Sequence, residues 1–267
     1  MSKDPTSPIG IFDSGVGGLT VARTVMERLP GESIVYFGDT ARVPYGVKSA
    51  DTVSRYAAEI TKFLLAREVK LLIVACNTMA ALALETITEL SPVPVLEVIG
   101  AGAKLAMSRT RNKRLGVIAT PATVQSQAYV QAIKGHDPDS FVASKACPLF
   151  VPLVEEGWLD HPVTRLVAQE YLAPLLTQNL DTIVLGCTHY PLLKPLLREV
   201  VGPDVALLDS AEAVSEAAAN VLEDLGLKNP GHAPCHQFHV TDMPMRFREI
   251  GERFLGRGLD NVHLVKL

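Results

Sequence analysis

The sequence predicts an α/β protein of two pseudo-symmetric α/β domains with mostly parallel sheets and a site in the cleft between them. Short apolar segments rich in β-branched residues alternate with helix-like segments, as in parallel sheets that carry helices on both faces. The strand-like segment at 115–120 repeats the rhythm of the segment at 9–14 after about 106 residues. Cys187 repeats the setting of Cys76 after 111 residues. Two offsets of similar length indicate a duplicated unit.

The first half of the chain supplies three strand–helix pairs. A parallel strand that is buried on both faces is expected to be a continuous run of Val, Ile and Leu. The longer segments between such runs are predicted to be helices. On this basis strands are predicted at 8–12, 33–37 and 70–75, and helices at 17–29, 50–66 and 77–90.

A second series of alternating strands and helices begins near residue 115, and its position determines the predicted domain organisation. Pro92 and Pro94 interrupt the chain before it, so the boundary is expected near residue 97 and the second domain is predicted to span 98–208. Residues 205–210 are expected to begin a helix, and 261–266 resembles a strand. Because this tail is too short for a domain of its own, we expect it to pack on the first unit, giving a first domain of 1–97 plus 209–267.

Composition limits the function classes. The chain has 267 residues, of which 48% are hydrophobic and 20% charged, and its net charge is -4. This length and this hydrophobic content are sufficient for a sizeable core. No basic stripe points to nucleic acid, and no apolar run could span a membrane. The first eight residues lack the apolar core of a signal peptide, so a cytoplasmic protein is expected. The four cysteines have neither disulfide context nor metal-site spacing, so free thiols and no metal are expected.

Two of the cysteines are the strongest candidates for chemistry. Cys76 and Cys187 each follow a predicted strand and precede a Thr-containing segment that reads as a helix. Ligands bind beyond the carboxyl ends of strands in open α/β sheets, where Asp13 and Thr120 are also expected. A helix N-terminus favours a thiolate, which can act as a general base. A single such cysteine would more often be a small buried apolar residue, but two in repeated settings indicate two opposed bases. Cys147 and Cys235 lack this setting and are interpreted as structural.

Two loops are predicted to contact a ligand. The glycine-rich turn at 13–20 exposes backbone N–H groups to an anion. Thr20 replaces the last glycine of a dinucleotide loop, so a small carboxylate is favoured over a nucleotide. Asp13 itself reads as a helix cap or as an acid/base group, and the sequence favours the cap. The loop at 38–46, which contains Pro44 and Tyr45, reads either as an ordinary connection or as a rim of the site.

Acid and imidazole groups in the second half form a further candidate set. Glu155, Glu156 and His161 have no local feature that separates a functional role from a surface one. His189 lies two residues after Cys187, so its cation could favour a thiolate or bind a carboxylate.

Taken together, these segments resemble the bacterial glutamate racemases of the cofactor-independent aspartate/glutamate racemase family. The resemblance spans most of the chain in the family's order, and His189 stands where aspartate racemases tend to have Glu. The motifs that carry the resemblance are GIFDSGVGGLT at 10–20, YFGDT at 36–40, PYG at 44–46, ACNT at 75–78, PLVEEGW at 152–158 and LGCTHYP at 185–191. From about residue 225 onward no motif is recognised.

The resemblance implies both an activity and a set of site residues. Family members interconvert L- and D-glutamate without pyridoxal phosphate or metal, supply D-glutamate for peptidoglycan, and are often homodimers. The Cys76-type thiolate takes the α-proton of D-glutamate and the Cys187-type thiolate that of L-glutamate. Asp13, His189 and Glu155 are the implied assisting groups. The implied substrate contacts are Asp13, Ser14, Tyr45, Gly46, Asn77, Thr78, Thr120, Thr123, Thr188 and His189.

Other functions remain open at this stage. The same thiols could racemise aspartate or a hydantoin, or isomerise a maleate-type substrate. The fold could also serve a carboxylate-binding or interaction protein without catalysis. A redox-active dithiol is a third reading.

Overall fold

Two parallel β-sheets form the framework of the computed structural model, which describes residues 4–267. The first sheet has six strands in the order β10-β9-β2-β1-β3-β4, and the second has four in the order β6-β5-β7-β8. The strands are β1 (Ile9–Asp13), β2 (Ile34–Gly38), β3 (Leu71–Val74), β4 (Val95–Glu97), β5 (Arg114–Ala119), β6 (Phe141–Ala146), β7 (Thr182–Gly186), β8 (Ala206–Asp209), β9 (His236–Val240) and β10 (Val262–Leu264). The predicted two-domain α/β class is confirmed.

Helices cover the sheets. They are α1 (Leu19–Arg28), α2 (Ala50–Leu65), α3 (Asn77–Leu90), α4 (Val98–Arg109), α5 (Pro121–Gln125), α6 (Ala128–His136), α7 (Phe150–Glu155), α8 (Pro162–Leu176), α9 (Lys194–Val201), α10 (Ser210–Asp224) and α11 (Pro244–Leu255). The predicted helix at 77–90 coincides with α3, and the other predicted elements of the first half agree with the structure to within two residues at each end.

The two sheets repeat one arrangement of strands. The order β2-β1-β3-β4 in the first sheet corresponds to β6-β5-β7-β8 in the second, so β3 and β7 occupy equivalent positions. Cys76 and Cys187 follow these two strands. The last strand of each repeat ends in a carboxylate that caps the next helix: Glu97 accepts from Ile99 N, and Asp209 accepts from Ala211 N. The duplication inferred from the offsets therefore extends to the helix caps.

The segment at 205–210 differs from its prediction. Residues Ala206–Asp209 form β8, which pairs with β7, and the helix begins only at Ser210. The run of Ala206, Leu207 and Leu208 is short and partly buried, and the Asp209 cap stops the strand and starts α10. The chain near 97 also holds the short strand β4, which the sequence reading passed over because two prolines precede it.

The C-terminal tail extends the first sheet. Strand β9 pairs with β2, and β10 pairs with β9. Helix α10 packs against α1 and α4, and α11 packs against α1. The domain bounds of 1–97 plus 209–267 and 98–208 stay a prediction. Residues 1–3, which belong to the predicted first domain and to the segment compared with a signal peptide, lie outside the described residues.

Candidate active site

A cavity of about 420 Å³ lies where the carboxyl ends of the strands of both domains meet. The two domains contribute comparable parts of its wall, as expected for two sheets that face each other across a cleft. Its walls consist of Ser14, Gly15, Val16, Val43, Pro44, Tyr45, Gly46, Val47, Cys76, Asn77, Thr78, Thr120, Pro121, Pro148, Val151, Pro152, Glu155, Cys187, Thr188 and His189.

Cys76 supplies the thiol of the first domain. It occupies the N-cap position of α3 and is 5% exposed. Its Sγ atom lies 3.7 Å from the hydroxyl of Ser14. Burial, together with the negative charge of Asp13, raises the pKa of the Cys76 thiol to about 12. In the free protein this sulfur therefore carries a proton at neutral pH.

Asp13 lies behind the cavity wall and holds the glycine-rich turn. Its Oδ2 atom accepts a hydrogen bond of 2.9 Å from Gly15 N. Burial raises the pKa of Asp13, while the charge of His189 and the N–H donors of the turn oppose that rise. The N-cap position of α1 belongs to Gly18, so the prediction that Asp13 is a helix cap is wrong. Asp13 precedes that position by five residues, although its side chain packs against Gly18: a Cβ atom on Gly18 would lie 2.5 Å from Asp13 Cβ.

Cys187 supplies the thiol of the second domain and begins a chain of polar contacts. Its Sγ atom lies 3.9 Å from His189 Nδ1, and His189 Nε2 lies 2.9 Å from Glu155 Oε1. Burial opposes a charge on His189, but its contacts with Cys187 and Glu155 prevail and raise its pKa to about 10. Burial also opposes a charge on Glu155, yet the bond to His189 lowers its pKa. The arrangement is a carboxylate, an imidazolium and a sulfur in series.

The structure separates the acidic and imidazole candidates that the sequence left equal. Glu155 faces the cleft at the end of α7, whereas Glu156 is exposed and lies 3.7 Å from Arg246. His161 accepts a hydrogen bond from Val163 N at the start of α8 and stacks on Trp158. Glu156 and His161 therefore lie outside the cavity wall.

Most of the predicted substrate contacts lie on the cavity wall. Asp13 and Thr123 lie behind it. The Thr78 hydroxyl is 3.1 Å from that of Thr120 and 3.4 Å from that of Thr123, and the last two are 3.0 Å apart. This hydroxyl cluster joins α3 of the first domain to the start of α5 in the second. Lining the wall are Ser14, Tyr45, Gly46, Asn77, Thr78, Thr120, Thr188 and His189.

The loop at 38–46 forms one rim of the cavity. The Tyr45 hydroxyl donates to Asp39, which also pairs with Arg42. Burial raises the pKa of Tyr45, and Asp39 adds to that rise, so its hydroxyl stays protonated. A Cβ atom on Gly46 would lie 2.8 Å from Thr120 Cβ, so glycine allows this rim to contact the other domain closely.

The structure also brings residues to the site that the sequence reading missed. Phe254 of α11 packs edge-on against His189, with ring centroids 5.1 Å apart. Arg253 donates to the carbonyl oxygens of Val154 and Glu155 at 3.3 Å each. Tyr129 of α6 donates to Asn77 Oδ1 at 2.7 Å. None of these residues belongs to a local motif, so only the fold reveals them.

Neither of the remaining cysteines lines the cavity. Cys147 is fully buried at the end of β6 and its Sγ lies 3.6 Å from Lys145 O, while Cys235 is exposed. Within residues 4–267, no group of three or more His, Cys, Asp and Glu side chains is placed to hold a metal ion. In the same part of the chain, no helix combines the length and the apolar character needed to cross a membrane.

Comparison with known proteins gives consistent results over nearly the whole chain. A family model described as Asp/Glu/Hydantoin racemase matches residues 19–218. The chain is 62% identical over 261 residues to a glutamate racemase of Syntrophus aciditrophicus, covering 97% of each. It is 54% identical over 262 residues to one of Neisseria meningitidis, again covering 97% of each. The structure of glutamate racemase from Francisella tularensis in complex with D-glutamate has a TM-score of 0.94 and 41% identity, covering 98% of each chain.

Proposed function

Because this chain belongs to the Asp/Glu/Hydantoin racemase family, we propose that it interconverts L- and D-glutamate by moving the α-proton between two thiols. The observation that carries the proposal is the pairing of Cys76 and Cys187 on one cavity, after equivalent strands of two repeated domains. A substrate held between two such sulfurs has one base on each face of its α-carbon. The full-length similarity to glutamate racemases supports glutamate as the substrate.

The reaction begins with L-glutamate and one proton on Cys76. The Cys187 thiolate removes the α-proton, and the electron pair of the broken C–H bond stays on the α-carbon. The Cys76 thiol then gives its proton to the opposite face, which produces D-glutamate and leaves Cys76 as the thiolate. The reverse reaction starts from that second arrangement of protons. Exchange with solvent restores either starting state.

The charges around the two sulfurs support this starting arrangement. The high pKa of Cys76, caused by burial and by Asp13, keeps the first sulfur protonated. The cation of His189 lies beside Cys187 and is held by Glu155, so negative charge on this sulfur during the reaction lies next to a positive charge. In this scheme L-glutamate reacts in the arrangement that has the proton on Cys76, and D-glutamate reacts in the arrangement that has it on Cys187. The two titrations are coupled through the shared site.

Stabilising the carbanion is the harder part of the chemistry. The α-proton of an amino acid is very weakly acidic, so the cavity must place donors where negative charge develops on the carboxylate. The hydroxyls of Ser14, Thr78 and Thr188 and the amide of Asn77 line the cavity and can serve as such donors. A buried site also strips water from the thiolate and makes it a stronger base. Fixed geometry between the sulfurs lowers the entropic part of the barrier.

The proposed product indicates a role in the cell. D-glutamate is a component of peptidoglycan, so we assign the enzyme to the supply of that building block in the cytoplasm. We also propose that the protein forms a homodimer, and analytical ultracentrifugation would measure its oligomeric state.

The direct test is racemisation followed by circular dichroism with each enantiomer of glutamate and aspartate. The wild-type protein should racemise glutamate and incorporate deuterium at the α-carbon from deuterated water. Cys76→Ala and Cys187→Ala should each abolish racemisation, since each removes one of the two proton carriers. Substantial racemisation by either variant would overturn the two-thiol mechanism.

Matched controls come from the other two cysteines. Cys147→Ala and Cys235→Ala lie outside the cavity wall and should retain the wild-type rate. If the protein racemises aspartate faster than glutamate, the proposed substrate is wrong, but the two-thiol mechanism still stands. Binding of glutamate without α-proton exchange would indicate a carboxylate-binding protein, and loss of free thiols under mild oxidation would indicate a redox-active pair.

A further inference from the structure

Tyr129 joins the two halves of the cavity from behind. It lies on α6 of the second sheet's domain and is 2% exposed. Its hydroxyl donates to Asn77 Oδ1 at 2.7 Å, and Asn77 is the first residue of α3 in the other half. Because Asn77 directly follows Cys76, this hydrogen bond ends one residue from the first thiol.

The ring of Tyr129 contacts the segment that carries the other thiol. A Cβ atom on Gly186 would lie 2.9 Å from Tyr129 Cε2, and Gly186 directly precedes Cys187. A Cβ atom on Gly102 of α4 would lie 3.4 Å from the Tyr129 hydroxyl oxygen. Gly186 thus leaves room for the aromatic ring at the junction of the domains. One buried side chain bonds to the residue after Cys76 and packs against the residue before Cys187.

The structure places the oxygen end of the Asn77 amide against the Tyr129 hydroxyl. Oδ1 accepts from Tyr129, so the Nδ2 donor points away from that hydroxyl. Asn77 lines the cavity, and none of the hydrogen bonds within residues 4–267 uses its Nδ2 atom. An amide in this orientation offers N–H groups to a carboxylate, whereas a flipped amide would present a repelling oxygen.

We propose that Tyr129 is a positioning residue, which orients the Asn77 amide as a donor to the substrate carboxylate and couples that donor to the segment carrying Cys187. This inference rests on the proposed racemase function. Tyr129 contacts no substrate itself. The effect of Tyr129 on the reaction depends on Asn77. A residue that only fills space would affect activity whether or not Asn77 is present.

A double-mutant cycle tests this dependence. Tyr129→Phe keeps the ring and removes the hydroxyl, so kcat/KM should fall about 3- to 10-fold, as expected for loss of one neutral hydrogen bond. The fall must be equal in both directions, because enantiomers have equal free energies. Asn77→Ala should lose more, and adding Tyr129→Phe to it should cost no further activity. Additive losses would overturn the proposal, as would an unchanged Tyr129→Phe enzyme.

A structural measurement keeps this test separate from the proposed function. A neutron crystal structure of Tyr129→Phe, which locates the amide hydrogens, should show the Asn77 amide rotated or in two orientations, and an amide that keeps its orientation would contradict the inference even if the protein is no racemase. Absence of racemisation by the wild-type protein would instead contradict the proposed function. Tyr171→Phe is the matched control: Tyr171 itself does not line the cavity, its hydroxyl accepts from Leu149 N at 3.4 Å, and the variant should retain wild-type kinetics.

Discussion

The Nε2 atom of His189 lies 2.9 Å from the Oε1 atom of Glu155, although 34 residues separate them. His189 follows β7 and Glu155 ends α7, so the pair forms only in the folded second domain. The pair is partly buried, with 9% of the His189 side chain and 34% of the Glu155 side chain exposed. The imidazolium is therefore held by a carboxylate on one side and faces the Cys187 sulfur on the other.

Replacing the carboxylate of this pair should slow proton transfer at the second thiol. In Glu155→Gln the imidazole loses its negative partner, so its pKa should fall from about 10 toward the ordinary value for histidine. A neutral imidazole stabilises the Cys187 thiolate less, and kcat/KM should drop roughly 10- to 100-fold, as for a hydrogen bond to a charged group. Titration of the His189 ring by NMR and racemisation kinetics measure the two effects.

Glu156→Gln is the matched control for that variant. Glu156 is the next residue, is exposed and lies near Arg246 rather than the cavity. Its pH profile and rate should equal those of the wild type. Equal losses in the two variants would show that net charge, and not the contact with His189, is responsible.

The sequence predicted the parts of the site that depend on local pattern. Cys76 and Cys187 could be found because strand ends gather at one edge of a parallel sheet, and a repeat brings two such edges together. The α/β class and the elements of the first half followed from the same alternation. The segment at 205–210 was misread because a short apolar run with a polar end suits a helix start as well as an edge strand.

Residues that act across the fold escaped prediction for a physical reason. Tyr129, Arg253 and Phe254 touch the site only because α6 and α11 pack where they do. No local spacing records such contacts. Glu155 and Glu156 are equivalent in sequence, and the direction in which α7 ends decides which one faces the cleft.

Gly17 should tolerate no side chain. A Cβ atom there would lie 2.2 Å from Thr188 Oγ1 and 2.5 Å from His189 Nδ1. Gly17→Ala must therefore separate the glycine-rich turn from the segment after Cys187, which moves the two thiols relative to each other. We expect kcat/KM to fall by at least roughly 10-fold and stability to fall by about 1–3 kcal/mol, the usual cost of overpacking. Racemisation assays and urea denaturation would measure both losses.

Gly31→Ala is the control for this substitution. No atom lies within 4 Å of a Cβ built on Gly31, so the same change should alter neither rate nor stability measurably. A Gly17→Ala protein with wild-type kinetics would mean that the two loops separate without consequence for the thiols.

Lys70 should be among the costliest residues to replace for stability. Its fully buried ammonium lies 2.5 Å from Glu32 Oε2 and donates to Leu227 O at 2.7 Å. Lys70→Met leaves the buried Glu32 carboxylate without its partner, which should cost about 3–5 kcal/mol. Adding Glu32→Gln should recover part of this loss, because the uncompensated charge is then removed. Urea denaturation measures each step.

An exposed ion pair provides the comparison for Lys70. Lys113 lies 2.7 Å from Asp137, but its side chain is 61% exposed, so water solvates both groups when the pair is broken. Lys113→Met should therefore change stability little. A similar loss in both Lys variants would contradict the assignment of the Lys70 effect to burial.

His239 should make the protein less stable in mild acid. It is 6% exposed, and both of its ring nitrogens lack hydrogen-bond partners among residues 4–267. Burial lowers its pKa, the charges of Arg67 and His263 act in the same direction, and together they bring it to about 4. The unfolded chain, with a histidine pKa near 6.5, then binds more protons than the folded one, so stability falls as the pH drops from about 6.5 toward 4.

The size of this effect can be isolated by substitution. Between pH 7 and pH 5, protonation of His239 in the unfolded state alone should cost roughly 2 kcal/mol. His239→Phe retains an aromatic ring beside Phe63 and removes the titrating group, so its urea midpoint should decline less over this range than that of the wild type. His136→Gln, which replaces an exposed histidine on α6, should follow the wild-type curve. If His239→Phe also follows it, His239 is charged in the folded protein and its burial does not control the acid response.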